Sequence, residues 1–342
     1  MAKALNGEDV RVNAKTIEMR LADIWREEQH DDEDGEQAIT RAALWNVVAH
    51  TWSSDQHARA TEVLARASAT VPQRTIVIRA DPRGASDMSS WISANCHMIG
   101  GGRQVCSEEV NIVASGERVQ HVPPLVHSLL LPDMPVAVWW LGDLPSGHRE
   151  YAQSLLDPAD RLIVDSSQFD SVDDLELVSR IAEESITAPA DLNWGRLEEW
   201  RAATAALFDP PSMRERLRAI RNVRMTGPHR RAFGDSVAPL LYVSWLVAQT
   251  GAEVPFEIAD DDALRSVEFQ FQDGTSAQIR RDAERGAIIA NAGGTEITID
   301  CITRALAQDA EDLIVSLLQR PEADHVYVKT LRSALTLAPR LS

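Results

Sequence analysis

The chain has 342 residues, of which 44% are hydrophobic and 25% charged, with a formal net charge of −18. This length allows two domains or one large domain. So acidic a balance argues against general binding to nucleic acids or anionic membranes, both of which need clustered cations. The first residues, MAKALNGEDVRVNAK, contain no apolar core, and no apolar run reaches the length of a membrane span. We therefore expect no signal peptide and a cytoplasmic location.

The amino-terminal part is predicted to be helical. A short helix around Val12 to Glu28 precedes an acidic connector, His30 to Gln37. A second helix is predicted from Ala38 to about Ala69, because apolar residues such as Leu44, Val47 and Val48 recur at helical spacing. Residues 1–37 thus form a helix and connector ahead of the first domain.

A mixed sheet is predicted next. The apolar runs that indicate strands are Thr75 to Arg79, Ser90 to Ile99, Glu109 to Ala114, Val136 to Trp140 and Arg161 to Asp165. Helices are predicted from Pro123 to Leu131 and from Ser171 to Glu184, since Pro is tolerated in a first helical turn. This alternation indicates an α/β domain over residues 38–187, a mixed sheet covered by helices.

A smaller α+β domain is predicted over residues 188–342. It begins with one helix that carries Trp194, Leu197, Trp200 and Ala203 on a single face. A strand (Ala219 to Thr226) and a buried helix (Ser236 to Ala248) follow. Four short strands separated by turn signals then predict an antiparallel meander: Val267 to Phe271, Ala277 to Arg281, Ala287 to Ala290 and Glu296 to Cys301. Helices around Ala307 to Leu318 and Ala323 to Leu337 close the domain.

Two predicted buried strands end on a carboxylate, MPVAVWWLGD at Asp143 and LIVD at Asp165. Ligands gather at the carboxyl ends of strands in open α/β sheets, so both residues are candidates for a site. The alternatives are that Asp165 caps the following helix and that Asp143 binds amides of its own turn. The scattered histidines complete no nucleophile triad. We predict no catalytic residue, metal site or cofactor.

Seven arginines cluster between Arg214 and Arg231. They either neutralise acids within the fold or form an anion site, for which Arg221, Arg224 and Arg230 are candidates. Arg103 follows the run Gly100 to Gly102, which could cradle an anion on its amides. That run matches neither a P-loop nor a dinucleotide motif, so a plain loop is favoured.

The chain contains three cysteines, Cys96, Cys106 and Cys301. Three is an odd number, and their spacing is not that of a metal site, so we expect reduced thiols. Cys96 and Cys106 flank the glycine loop on adjacent predicted strands and are expected to approach each other. Buried, inert thiols are the default interpretation of this pair, and a redox-responsive pair is the alternative.

Several sequence blocks resemble those of the glucose-6-phosphate dehydrogenase assembly protein family, OpcA. They are VCSEEVNIVASGE (Val105 to Glu117), LVHSLLLPDMPV (Leu125 to Val136), VWWLGD (Val138 to Asp143), ADRLIVDSSQF (Ala159 to Phe169) and DLNWGRLEEWR (Asp191 to Arg201). The resemblance spans roughly Thr75 to Phe208, and the acidic amino-terminal extension departs from it. It implies a non-catalytic accessory protein that promotes assembly or allosteric activation of glucose-6-phosphate dehydrogenase, at the entry to the oxidative pentose phosphate pathway.

If an aromatic side chain anchors that partner, Trp139, Trp140 and Trp194 are the candidates, with Asp143 beside them, because interface energy concentrates in Trp, Tyr and Arg. The competing interpretation is a sugar-phosphate-binding module or enzyme. It would use the strand-end carboxylates together with the arginine cluster.

Overall fold

The computed structural model describes residues 12–31, 39–99, 103–142, 144, 149–227, 233–251, 254–261, 264–282, 284, 287–292, 295–299 and 309–341. The chain divides into two compact units, each assembled from three segments. The first unit comprises Met1–Val164, Ile186–Ala188 and Ala310–Glu322, and the second Asp165–Ser185, Pro189–Asp309 and Ala323–Ser342. The predicted contiguous domains, 38–187 and 188–342, stay a prediction.

Helices and strands alternate along most of the chain, and the predicted α/β class is confirmed. The helices are α1 (Ala14–Asp31), α2 (Ser54–Ala67), α3 (Val122–Leu129), α4 (Arg149–Leu156), α5 (Val172–Glu184), α6 (Leu192–Arg196), α7 (Glu198–Phe208), α8 (Pro211–Arg214), α9 (Phe233–Thr250), α10 (Ala310–Gln319) and α11 (His325–Leu337). Within the described part of the chain, none of them combines the length and apolarity needed to cross a bilayer.

The strands form two sheets. They are β1 (Ile39–Arg41), β2 (Trp45–Thr51), β3 (Gln73–Asp81), β4 (Asp87–Ile99), β5 (Arg103–Ser115), β6 (Val136–Trp140), β7 (Arg161–Val164), β8 (Ala188–Asp191), β9 (Ile220–Gly227), β10 (Phe256–Asp260), β11 (Ser266–Phe271), β12 (Ser276–Asp282), β13 (Ala287–Ala292) and β14 (Thr295–Ile299).

The first sheet has the order β1-β5-β3-β2-β6-β7-β8, with β4 paired to β5 outside this path. Neighbours from β1 to β7 run parallel, and β4 runs antiparallel to β5. All seven residues of the central strand β2 are buried. A parallel strand covered on both faces has this character, because both rows of its side chains face core.

The predicted helix from Ala38 to Ala69 is wrong over its first half. β1 and β2 occupy that stretch, and only Ser54–Ala67 is helical. A short apolar run is compatible with a buried helix and with a buried strand, so periodicity alone could not decide. Ser53 supplies the missing boundary, because its side chain accepts a hydrogen bond from the Gln56 amide at 3.2 Å and caps α2.

The first unit is completed by a segment from near the end of the chain. Helix α10 packs on α2, where Arg66 pairs with Glu311 at 2.6 Å. The Trp45 indole donates to the Leu318 carbonyl at 3.1 Å, and the Arg161 guanidinium donates to the Leu317 carbonyl at 2.9 Å. The apolar face of α10 is thereby built into the same core as β2.

The second sheet has the order β10-β9-β11-β12-β13-β14. The predicted antiparallel meander is confirmed over β11 to β14. Gly274 makes the first of its turns at φ 81°, a backbone conformation that glycine adopts without strain. The residues after Ile299, including the predicted strand end at Cys301, lie outside the described residues up to 308. Strand β10, which pairs parallel with β9, was not predicted, because none of its five side chains is fully buried and three are exposed.

The predicted helix through Trp194 and Trp200 is interrupted at Leu197, which separates α6 from α7. Both indoles are nevertheless buried, and α7 packs on β13. The apolar spacing correctly indicated a buried face but did not reveal the break.

Candidate functional site

The topology of the first sheet singles out one point on its edge. From β2 the chain moves through β3 to β5 on one side, and it later returns to place β6, β7 and β8 on the other. The carboxyl ends of β2 and β6 therefore flank the switch point of a doubly wound sheet, where such sheets bind their ligands. His50 and Trp140 form the last residue pair between β2 and β6.

Four rings fill this switch point, and we call them the aromatic cluster: His50, Trp52, Trp140 and Tyr151. The His50 ring stacks on Trp140 with centroids 4.0 Å apart. Trp52 meets His50 edge-on at 4.4 Å, and Tyr151 of α4 does so at 5.5 Å. Such stacked and edge-to-face rings contribute beyond the area that they bury.

Burial keeps the two titratable members of the aromatic cluster neutral. It lowers the pKa of His50 to about 3, and it raises the pKa of Tyr151 above its ordinary value. Neither ring nitrogen of His50 nor the Tyr151 hydroxyl has a hydrogen-bond partner among the described residues. A histidine with so low a pKa is a poor general base near neutral pH, because base strength falls with pKa.

Side chains also occupy the turn after β2, where a doubly wound sheet commonly cradles phosphate. The Gln56 side-chain oxygen accepts a hydrogen bond from the Trp52 amide at 2.8 Å. Gly142, at φ 78°, lies so close that a Cβ there would stand 2.7 Å from Gln56 Nε2. The turn itself, Thr51-Trp52-Ser53-Ser54, contains no glycine. Its backbone is therefore not shaped like a dinucleotide-binding turn.

Asp165 lies after β7 and is held by Arg196 and Ser167. The Arg196 guanidinium donates to both carboxylate oxygens at 2.8 Å, and the Ser167 amide and hydroxyl donate at 3.3 and 2.6 Å. Burial alone would raise the pKa of Asp165, but these donors outweigh it and lower the pKa. Asp165 caps a 3₁₀ turn over Ser166–Gln168, whereas the predicted helix that follows, α5, is capped by Ser171. Asp143 lies outside the described residues.

Asp191, at the end of β8, forms a second buried site that was not predicted. Its oxygens accept from the Ser166 amide and hydroxyl at 3.0 and 2.6 Å, from the Asn193 amide at 2.9 Å and from the Tyr327 hydroxyl at 3.3 Å. Burial is the largest influence on this carboxyl and raises its pKa to about 6. Tyr327 is 136 residues away in sequence, so only the fold brings this donor to Asp191.

The three candidate tryptophans are all buried. Trp139 and Trp140 expose 2% and 1% of their surface, and Trp194 exposes 5%. The Trp194 indole donates to Asp324 at 2.8 Å, and the Arg201 guanidinium lies 3.3 Å above its ring. All three rings are buried in this conformation, so a direct contact with a partner stays a prediction.

The described arginines of the predicted cluster are distributed over different elements. Arg214 pairs with Asp209 at 3.2 Å, Arg216 pairs with Asp273, and Arg224 of β9 approaches Glu257 and Glu268 at 3.4 and 3.9 Å. These pairs agree with the interpretation that the cluster neutralises acids of the fold. Arg221 is exposed on β9, whereas Arg230 and the side chain of Arg103 lie outside the described residues.

Cys96 and Cys106 form a disulfide, so the expectation of reduced, inert thiols is wrong for this pair. Their predicted proximity is confirmed, because they are directly opposite in the antiparallel pairing of β4 with β5. Their Cα atoms are 4.0 Å apart, and Ile24 and Trp25 of α1 pack against the bridge. A redox role for the pair stays a prediction, and Cys301 lies outside the described residues.

The described side chains include no cluster of three or more His, Cys, Asp or Glu that could hold a metal ion. The switch point is filled by side chains, and the buried Asp165 and Asp191 are engaged by hydrogen bonds within the second unit. We find no arrangement of nucleophile, base and oxyanion donors among the described side chains.

Two family models match the chain. Residues 64–180 match the glucose-6-phosphate dehydrogenase subunit N-terminal domain, and residues 187–331 match its C-terminal domain. Both models carry the OpcA name, which confirms the resemblance drawn from the sequence blocks.

Curated relatives agree with these matches. A Synechococcus elongatus protein named as an OxPP cycle protein OpcA is 28% identical over 61% of this chain and 46% of its own length. A protein of the same name from Synechocystis is 30% identical over 42% of this chain and 30% of its own length. The match thus spans less than half the length of either relative.

Solved structures with a related outline include a 3-ketoreductase, KijD10, from Actinomadura kijaniata, at 11% identity and a TM-score of 0.45 over 86% of this chain and 95% of that one. An NAD-binding oxidoreductase from Klebsiella pneumoniae gives 12% identity and a TM-score of 0.46 over the same shares. Sequence identities and TM-scores this low carry no information about the activity of this chain. With both of its domain models matched over most of its length, the chain belongs to the OpcA family, whose domains are named for glucose-6-phosphate dehydrogenase.

Proposed function

We propose that this protein is a non-catalytic accessory protein that promotes the assembly or activation of glucose-6-phosphate dehydrogenase. The observation that carries the proposal is the match of both halves of the chain to domains named for that enzyme's subunit. The site geometry supports it. The edge where a doubly wound sheet would bind a ligand is filled by the aromatic cluster, and its histidine is neutral and weakly basic.

An accessory protein of this kind acts through differential affinity. It can raise the dehydrogenase's activity only if it binds an active oligomer or conformation more tightly than the alternatives. The net charge of −18 supports long-range attraction to a basic face of the enzyme. Such attraction accelerates encounter and weakens as salt is added, because salt screens surface charges.

The test pairs this protein with glucose-6-phosphate dehydrogenase from the same organism. We expect a titration to give saturable activation of NADPH formation, and size-exclusion chromatography with light scattering to show a co-eluting complex of fixed stoichiometry. Repeating the titration at low and high salt should show activation at lower protein concentrations in low salt. Unchanged activity and no complex, with both proteins folded, would remove the proposal.

A thermal-shift control separates this role from a sugar-phosphate-binding module. Ligand binding to the native state raises its stability by mass action. Glucose 6-phosphate and 6-phosphogluconate should therefore leave the melting temperature of the isolated protein unchanged. A concentration-dependent rise with either compound alone would favour a small-molecule site instead.

A further inference from the structure

The second unit contains a cavity to which the proposed function assigns no role. It has a volume of about 840 Å³ and lies between α7, α9 and the segment from Asp209 to Arg218. Small-molecule sites in proteins commonly enclose 300–1,000 Å³ and are mostly apolar with a few placed polar groups. The cavity is thus of a size that holds one organic molecule.

Its walls are mostly apolar, and their aromatic side chains are held by neighbouring rings. Phe208 packs edge-on against Phe269 of β11 at 5.1 Å and is itself buried. Leu246 is buried on the facing side of α9, and Trp245 beside it is half-buried with its ring 5.8 Å from Tyr242. A half-buried indole in such a wall offers a stacking face to a planar or aliphatic body.

Behind the wall, the polar groups are already engaged. The Thr204 hydroxyl donates to the Trp200 carbonyl at 2.7 Å and hydrogen-bonds the Tyr242 hydroxyl at 2.5 Å. Tyr242 is fully buried, and burial raises its pKa above the ordinary value. The inner part of the cavity therefore suits an apolar group better than a polar one.

Four charged residues lie at the mouth, and two of them, Asp209 and Arg214, form an ion pair. Arg214 donates to the Asp209 carbonyl at 2.7 Å and pairs with its carboxylate at 3.2 Å. Arg218 makes no ion pair with a described residue and is exposed at the rim. Glu215 lies on the same rim, so a ligand with several negative charges would be repelled. One guanidinium is available for one anionic group.

We propose that this cavity binds an amphipathic organic anion, with an aromatic or aliphatic body against Trp245 and Phe208 and a single carboxylate, sulfonate or phosphate at Arg218. The apolar interior disfavours the polar body of a sugar phosphate, and the single available cation disfavours the several charges of a dinucleotide. The inference is independent of the proposed function, since it rests on the second unit alone.

The chain offers matched variants for the test. Ala205 and Ala202 are both exposed on α7, but only Ala205 lines the cavity. Ala205→Trp should fill the mouth without disturbing the core, and Ala202→Trp carries the same bulk one turn away. Arg218→Glu reverses the rim charge, and Arg221→Glu makes the same change at an exposed site on β9 that does not line the cavity.

The probe is 8-anilinonaphthalene-1-sulfonate, an aromatic monoanion, titrated into the full-length protein by fluorescence and calorimetry. We expect one saturable site in the native protein. Ala205→Trp should weaken binding at least about tenfold because the indole fills the mouth. Arg218→Glu should weaken it by at least about the same factor, because an anion then replaces the cation that pairs with the sulfonate. The two control variants should stay within about twofold of the native affinity, less than about 0.4 kcal/mol.

Circular dichroism confirms that all four variants are folded before they are compared. Equal affinities for Ala205→Trp and Ala202→Trp would overturn the assignment of the probe to this cavity. Saturable binding that Arg218→Glu leaves unchanged would overturn the role of Arg218. Absence of any saturable site in the native protein would overturn the proposal as a whole.

Discussion

The carboxyl group of Asp191 is buried and accepts hydrogen bonds from four donors. Burial raises its pKa and the Ser166 and Asn193 donors lower it, and the net shift can be measured. Its pKa is raised from 3.8 to about 6 in the folded protein. A group whose pKa is raised by folding contributes stability below its unfolded pKa and loses it as pH rises through the folded pKa. The window for Asp191 is therefore about pH 4 to 6.

We predict that Asp191→Asn becomes more stable relative to the native protein as pH rises through this window. The difference in free energy of unfolding between the two should change by roughly 3 kcal/mol, since one pKa unit corresponds to about 1.4 kcal/mol. Urea unfolding of both proteins at a series of pH values measures it. A difference that does not vary with pH would contradict the raised pKa.

Asp165→Asn is the matched control, because Arg196 holds the pKa of Asp165 below its ordinary value. A lowered pKa contributes stability above the unfolded pKa, and this stability is lost as pH falls. The loss of stability in Asp165→Asn should accordingly grow with pH, opposite in sign to the effect at Asp191.

These two aspartates show how far single residues could be predicted from sequence. A local capping role for Asp165 was predictable, because its partner Ser167 is only two residues away. The site around Asp191 was not, since Tyr327 approaches from a distant part of the chain. The burial of Trp139, Trp140 and Trp194 could be weighed as an alternative, but sequence alone could not decide it.

At the scale of elements, local signals predicted the structure well where neighbours in sequence are neighbours in space. The meander β11 to β14 follows from its turn residues, and α5 from Ser171, whose hydroxyl accepts from the Asp173 amide at 3.2 Å. The strands that were missed, β1, β2, β8 and β10, pair with strands that are distant in sequence. An apolar run such as β2 and an exposed edge strand such as β10 acquire their identity from those partners.

The β4–β5 pair illustrates a covalent constraint on an element. The disulfide between Cys96 and Cys106 closes a loop with a sequence separation of 10 residues. Chain-entropy arguments give about 2–3 kcal/mol for a loop of this size, by restricting the unfolded chain. We predict that the Cys96→Ala, Cys106→Ala double variant loses about that much free energy of unfolding relative to the oxidised protein.

Adding reductant should abolish the difference between the two proteins, because the native protein then loses the same cross-link. Mass spectrometry after alkylation, with and without prior reduction, reports the state of each thiol. Alkylation of Cys96 and Cys106 in the unreduced native protein would show that the bridge is absent in solution.

At the scale of the molecule, the discontinuous first unit makes a prediction about truncation. A fragment of residues 1–188 lacks Ala310–Glu322, so the face of α2 that α10 covers would be exposed. The fragment would also lose the hydrogen bonds that Trp45 and Arg161 donate to α10. Joining residues 309–322 to residues 1–188 through a flexible linker should raise the melting temperature of the fragment by at least about 5 °C, since each buried Ile or Leu contributes about 1.5–3 kcal/mol.

The control for this fusion is Ile314→Asp, which places a charge at a fully buried position of α10. It should return the fusion to the stability of the fragment that lacks the segment. Equal melting temperatures for all three proteins would mean that α10 does not complete the first unit.

The same feature affects how the protein is made. A ribosome releases the chain from its amino-terminal end, so β2 and α2 emerge long before the α10 residues that cover them. During that interval the nascent chain exposes apolar surface and Trp45, and species of this kind are prone to aggregate and are substrates of chaperones. The synthesis of Ala310–Glu322 thus decides when the first unit can complete its core and leave this aggregation-prone state.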